Sequence, residues 1–197
     1  MILAGPTQSG KSTFVKRLVN DKRIIPQPIR IIFYYAEWQK SYEEIKHPYI
    51  EFRKGAPTNI ETDGKPTLII LDDIMSDISN SKDVVNLFTR GTHHRNCSVI
   101  LIMQNLYQKG STIRTASLNA HYLCIFRILR DRSQIRILSR QMYPERPNFL
   151  TNVFEDATKD TPHSYLFIDL TQDAKDDRRI WTNIFGENNR PTYLYTQ

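Results

Sequence analysis

Apolar residues along this chain of 197 residues gather in short unbroken runs, and between the runs they recur at three- and four-residue spacing. Unbroken short runs read as strands buried on both faces, while the wider spacing reads as helices with one apolar side. Ile2-Leu3-Ala4 is the first such run. "KSTFVKRLVNDK", from Lys11, then places Phe14, Val15 and Leu18 on one helical face. Ile31 to Tyr34 is a second buried run, and a short helix follows it. Ile50 and Phe52 alternate with Tyr49, Glu51 and Arg53, which predicts a strand with one face toward solvent. Leu68 to Leu71, Cys97 to Met103 and Tyr122 to Ile128 are three further apolar strands.

The intervening segments complete the pattern. Helices are expected from about Lys82 to Arg90, with Val84, Val85, Leu87 and Phe88 turned inward, from about Arg132 to Gln141, and from Asn148 to Thr158. Gly55 to Pro66 is turn-rich and reads as a surface connection, and Asn105 to Asn119 reads as a loop. "SYLFIDL" and "RRIWTNI" supply two more strands. Strands alternating with helices predict an α/β fold, with an open, mainly parallel central sheet and helices on both faces. One domain over residues 1–197 is expected, with 1–144 carrying the motifs and 145–197 completing the sheet.

The turn between the first strand and the first helix is chemically specific. Gly5, Gly10, Lys11 and Ser12 complete the pattern Gly-x-x-x-x-Gly-Lys-Ser, with Pro6, Thr7, Gln8 and Ser9 between the glycines and Thr13 after. Gly5 and Gly10 are expected to permit backbone angles that turn consecutive N–H groups inward around a phosphate. Lys11 would reach the β- and γ-phosphates, the Ser12 hydroxyl would ligate Mg²⁺, and the helix would add its positive end. The loop from Gly5 to Thr13 is therefore the expected nucleotide cradle.

In an open α/β sheet ligands bind beyond the carboxyl ends of the strands, and two more polar positions fall there. Leu71 is followed by Asp72 and Asp73. Asp72 is read as holding Mg²⁺ through its water shell and Asp73 as the base that polarises a water attacking ATP, a pairing suited to hydrolysis rather than phosphoryl transfer to a substrate hydroxyl. Gln104, after the strand Cys97 to Met103, is read as a γ-phosphate sensor. Charge developing on the γ-phosphoryl group calls for an arginine, and Arg90, Arg95 and Arg114 are the candidates.

Composition narrows the setting. Hydrophobic residues make up 40% and charged residues 24%, and no apolar run approaches membrane-spanning length, so a soluble intracellular protein without a secretory leader is expected. Cys97 and Cys124 both lie in apolar runs and read as core thiols. His93 and His94 are adjacent and project apart, which disfavours a two-histidine metal site. A net charge of +6 tilts toward polyanionic partners.

Together "GPTQSGKS", "LIILDDIM", "LFTRGTHHRNCSVILIMQN", "RTASLNAHYLCIFR" and "DRSQIRILSRQMYP" resemble the viral genome-packaging ATPases of the FtsK–HerA superfamily. The likeness is to the poxvirus-type packaging ATPases of adintoviruses and Polinton-like elements, and it spans about Ile2 to Pro144. The resemblance implies a three-layer P-loop NTPase of the additional-strand, RecA-like kind, in which a strand lies between those bearing the loop and the acids. It also implies a homo-oligomeric ring, hexameric or pentameric, that threads double-stranded DNA into a preformed capsid at its portal vertex, in the nucleus or cytoplasm of a host cell or associated with the virion. Lys11 and Ser12 match the phosphate-loop pair, Asp72 and Asp73 the acidic pair, Gln104 the sensor, and Arg90 or Arg95 the finger offered to a neighbouring subunit. Many relatives carry Asp-Glu where this chain has Asp72-Asp73, and relatives carry more sequence before the loop, so Met1 is expected to mark a shortened or alternative start.

A DNA translocase needs cations facing phosphates and little base reading. Lys109 and Arg114, among Ser, Thr and Gly, are the candidate pore contacts. Arg132, Arg136 and Arg140 stack at four-residue spacing as a DNA-facing stripe or a subunit contact. The competing readings are a small P-loop nucleotide kinase and a non-catalytic, domesticated viral P-loop protein.

Overall fold

A computed structural model describes residues 1–58, 64–74, 78, 81–88 (without the side chains of 82 and 83), 96–107, 110–186 and 190–196. In chain order the strands are β1 (Ile2–Ala4), β2 (Arg30–Tyr35), β3 (Ile50–Lys54), β4 (Thr67–Asp72), β5 (Cys97–Met103), β6 (Tyr122–Phe126), β7 (Tyr165–Asp169), β8 (Ile180–Thr182) and β9 (Tyr193–Tyr195). The helices are α1 (Lys11–Asn20), α2 (Lys82–Asn86), α3 (Ser111–Leu118), α4 (Ser133–Met142) and α5 (Phe149–Thr158), with 3₁₀ turns at Lys40–Glu44 and Asp176–Arg178. The fold is α/β, and among the described residues its sheet is mixed and mostly parallel, with nine strands in the order β3-β2-β4-β5-β1-β6-β7-β8-β9. No helix of the described residues is long and apolar enough to cross a membrane.

Contacts group the chain into two compact units. The first comprises residues 1–2, 10–103 and 107–120. Here β2 pairs in parallel with β3 and β4, and β4 with β5. Every residue of β4 is buried, as expected for a strand covered on both faces, and each such Leu or Ile contributes roughly 1.5–3 kcal/mol. Met1 bonds β5 through the N–H of Leu101, so β5 lies between the acid-bearing strand and the start of β1, as the sequence resemblance implies. The edge strand β3 alternates as predicted, with Glu51 and Arg53 exposed. Helix α3 stands where a loop was expected. Its Ser and Thr residues have weak helix propensity, but Thr112, Ile113 and Ala116 form a buried stripe, and packing outweighs propensity.

The second unit comprises residues 3–9, 104–106 and 121–197. Strands β6, β7, β8 and β9 pair antiparallel in succession, and this run makes the sheet mixed. The sequence anticipated β7 and β8 but not β9, whose three residues are too few to show a period. Helices α4 and α5 pack together. Leu150 N–H donates to the buried Ser139 Oγ at 3.2 Å, and Arg132 pairs with Glu155 at 3.0 Å.

Candidate functional site

The loop from β1 to α1 is shaped by close approach at one glycine and by backbone angle at the other. Gly5 is buried, and a Cβ on it would come within 2.7 Å of Phe126 Cβ and 2.9 Å of Ser9 Oγ. Its backbone is not left-handed, so the expected reason for Gly5 is corrected: space, not torsion, requires it. Gly10 does need its freedom, at φ 103°, and Gln8 also lies in the left-handed region at φ 63°. Pro6, Thr7 and Gln8 are exposed, and Ser9 N–H closes the turn on the carbonyl of Pro6 at 3.3 Å.

Helix α1 has no side-chain cap and no acid in its first turn. Its positive end is therefore unneutralised by its own residues, which suits a phosphate. Among the described residues buried Ser9 Oγ has no hydrogen-bond partner, a cost of about 1–3 kcal/mol that an oxyanion would relieve. Ser12 is half-buried and Thr13 exposed at the start of the helix.

The acids at the end of β4 are sharply differentiated. Asp72 is only 4% exposed and stands in register with Tyr35 of β2 and Ile102 of β5. Asp73 is exposed and turns out of the strand at φ 54°, a left-handed conformation that Asp tolerates better than most residues. Its N–H points to the carbonyl of Ile102 at 3.5 Å. Burial lowers the pKa of Lys11, and the charges of Asp72 and Asp73 counter that shift. Burial pushes Asp72 up to about 6, against the opposing pull of Tyr42 and Lys11. A buried carboxylate whose charge is poorly compensated is a site that gains by taking a cation.

Two buried side chains, one in each unit, escaped the sequence reading. The Tyr42 hydroxyl, on the 3₁₀ turn Lys40–Glu44, donates to Asp72 Oδ2 at 2.9 Å. Its spacing from Ile45 marks an inward face, but no local signal names a partner thirty positions away. In the second unit, Leu106 N–H donates to the buried Gln134 Oε1 at 2.9 Å, tying the segment after Gln104 to α4. Gln104 itself is exposed directly after β5. Arg114 is exposed on α3, as are Arg136 and Arg140 on α4. Arg90, Arg95 and Lys109 lie outside the described residues, as do His93 and His94.

The donor set fits a nucleotide with its divalent cation. Hydroxyl and carboxylate oxygens such as Ser12 and Asp72 are the ligands a small hard ion takes, and the uncapped helix with Lys11 suits phosphate.

No family model matches the sequence, and no curated protein matches it. Among solved structures, the chain is similar to the genome packaging NTPase B204 from Sulfolobus turreted icosahedral virus 2 in complex with ATP-gammaS. That likeness has a TM-score of 0.59 and 13% identity, covering 92% of this chain and 94% of that one. The sulfate complex of the same NTPase gives 0.58 at 13% identity over 92% and 93%. B204, the DNA-packaging ATPase from Sulfolobus Turreted Icosahedral Virus, gives 0.58 at 12% identity over 92% and 94%. At that identity the likeness establishes the fold, which is that of a P-loop NTPase core.

Proposed function

We infer that this chain is an ATP-hydrolysing motor that moves double-stranded DNA into a viral capsid. The observation that carries the reading is Lys11, at the mouth of a phosphate loop, held in the field of a buried and an exposed acid at the end of β4. Such a division suits one acid to a metal and the other to water. The fold's likeness to packaging NTPases, together with the sequence motifs, favours this use of hydrolysis over others. The finer reading is membership of the FtsK–HerA superfamily, near the adintovirus-type packaging ATPases.

In this mechanism the loop from Gly5 to Thr13 wraps the phosphates with backbone N–H groups, and Lys11 draws the γ-phosphate toward the acids. Ser12 and Asp72 would hold Mg²⁺, which when bound would neutralise charge on the phosphate oxygens. Asp73, outside the strand and open to solvent, accepts a proton from the water that attacks the γ-phosphate. Gln104 senses the γ-phosphate, and Arg90 or Arg95 completes the site of a neighbouring subunit in a ring. Lys109 and Arg114 contact the DNA backbone, and the ring docks on the capsid or portal vertex within the host cell.

The deciding experiment is ATP turnover by the purified chain with and without long double-stranded DNA, for wild type and Asp73→Asn. DNA-stimulated turnover lost in the variant is the expected result. Stimulation by a nucleoside monophosphate in place of DNA would make the protein a kinase, and absence of turnover in every oligomeric state would make it a non-catalytic binder.

A further inference from the structure

Within the first unit, Asp72 rests against an aromatic cluster that the catalytic reading leaves unused. Tyr42 is 1% exposed, and its ring lies 4.6 Å from Phe33, 5.6 Å from Trp38 and 6.2 Å from Phe52, centre to centre. Packing on three sides fixes the ring, so the hydroxyl has little freedom to search for another acceptor. Its backbone is fixed as well: Tyr42 N–H donates to Gln39 and the Tyr42 carbonyl accepts from Ile45. The turn is fastened to α1, the helix that begins with Lys11 and Ser12. Lys16 pairs with Glu44 at 2.5 Å, Asn20 Nδ2 donates to the Glu44 carbonyl at 3.0 Å, and Lys46 N–H donates to Asn20 Oδ1 at 2.8 Å.

Among the described residues Tyr42 is the one hydrogen-bond donor to the Asp72 side chain, and it takes Oδ2. We propose that Tyr42 is a positioning residue for the divalent cation. By donating to Oδ2 it fixes the carboxylate plane and draws charge from that oxygen, which makes Oδ1 the better acceptor for the ion and its water shell. A monodentate carboxylate suits Mg²⁺, which demands near-octahedral geometry, whereas Ca²⁺ accepts bidentate carboxylates readily. Removing the hydroxyl frees the carboxylate to swing and to offer both oxygens. The cost then falls on metal affinity and on discrimination between the two ions, not on phosphate binding. This rests on the reading that Asp72 serves the cation.

The test is Mn²⁺ binding to the full chain saturated with ATP-gammaS, read from the electron paramagnetic resonance signal of free Mn²⁺, with Mg²⁺ and Ca²⁺ as competitors. Tyr42→Phe keeps the ring. It is expected to raise the Mn²⁺ Kd by about 10-fold, the lower end for lost outer-shell partners, and to narrow the preference for Mg²⁺ over Ca²⁺. Nucleotide affinity in EDTA should stay within about 2-fold, which also reports an intact fold. Tyr35→Phe, in the same cluster at 6.0 Å from Tyr42, should leave the Mn²⁺ Kd unchanged. An unchanged Kd in Tyr42→Phe overturns the proposal. Wild-type Mn²⁺ binding that Asp72→Asn does not weaken would overturn instead the reading of Asp72 beneath it. A measurement on the wild type covers the case in which the variant does not fold. With tyrosines ¹³C-labelled at Cζ, adding Mg²⁺ to the nucleotide complex should shift a tyrosine signal, and ten unmoved signals would overturn the proposal.

Discussion

Gly5 lies so close to Phe126 that a β-carbon on Gly5 would stand 2.7 Å from the β-carbon of Phe126. Both atoms are anchored to backbone, so neither can rotate out of the way. Gly5→Ala should destabilise the protein by about 1–3 kcal/mol, the range for overpacking a tight interior. It should also disturb Ser9, whose Oγ would be 2.9 Å away. The measurement is the urea midpoint for wild type and variant, with nucleotide affinity alongside. An unshifted midpoint would mean that β1 and β6 separate more easily than their packing indicates.

The two acids should fail differently. Asp73 is exposed and outside the strand, so Asp73→Asn should keep ATP-gammaS binding and lose turnover by about 10²- to 10⁴-fold, the range for a general base. Asp72→Asn should lose metal-dependent nucleotide binding as well. Isothermal titration with and without Mg²⁺, paired with steady-state turnover, separates the two. Equal losses of binding in both variants would remove the division of labour.

Asp72 also gives the metal-free protein a particular pH response. Its pKa rises from 3.8 to about 6 on folding, so between those values the native state holds a proton that the unfolded chain releases. Stability from this group is therefore greatest at low pH and declines as pH climbs to about 6, after which the buried charge costs a constant amount. At about 1.4 kcal/mol per unit, the full swing is on the order of 2–3 kcal/mol. Other carboxylates titrate in the same range with the opposite tendency, so the quantity to measure is the difference from Asp72→Asn. In EDTA, the variant should gain stability relative to wild type as pH rises from 4 to 7. A pH-independent difference would contradict the assignment.

Gln134 is 4% exposed and accepts from Leu106 N–H while its amide approaches Asp131 Oδ2 at 3.2 Å. Gln134→Ala leaves that backbone N–H without its partner and should cost about 1–3 kcal/mol. Because Leu106 follows Gln104 by two positions, turnover should drop further than stability alone explains. Hydrogen exchange at the Leu106 amide checks the first effect directly.

Arg114 is exposed on α3, where its charge is available to a phosphate. If it touches DNA, Arg114→Ala should weaken DNA stimulation for every sequence alike and reduce the slope of log affinity against log salt by about 1. Basal turnover without DNA should persist. An unchanged salt slope would place the DNA contact elsewhere.

Features that depend on neighbours along the chain were legible without the structure. Apolar runs of strand length marked β1, β2 and β4 to β8, since a strand buried on both faces has nowhere to put a polar residue. The spacing of Gly5, Gly10, Lys11 and Ser12 pointed to a phosphate loop, and Asp72-Asp73 stood out because acids directly after an apolar run belong at a strand end, where Asp72 lies. Helix α3 was hidden because its Ser and Thr residues favour turns locally, and only the burial of Ile113 and Ala116 overrides them. Packing also replaced the reason for Gly5, since the nearness of Phe126 is a contact between residues 121 positions apart. The bond from Tyr42 to Asp72 was equally out of reach, because a hydroxyl in "KSYEE" carries no mark of its acceptor. Such pairs form only when parallel strands and a returning turn bring distant positions within hydrogen-bonding distance, and burial then makes the pairing obligatory.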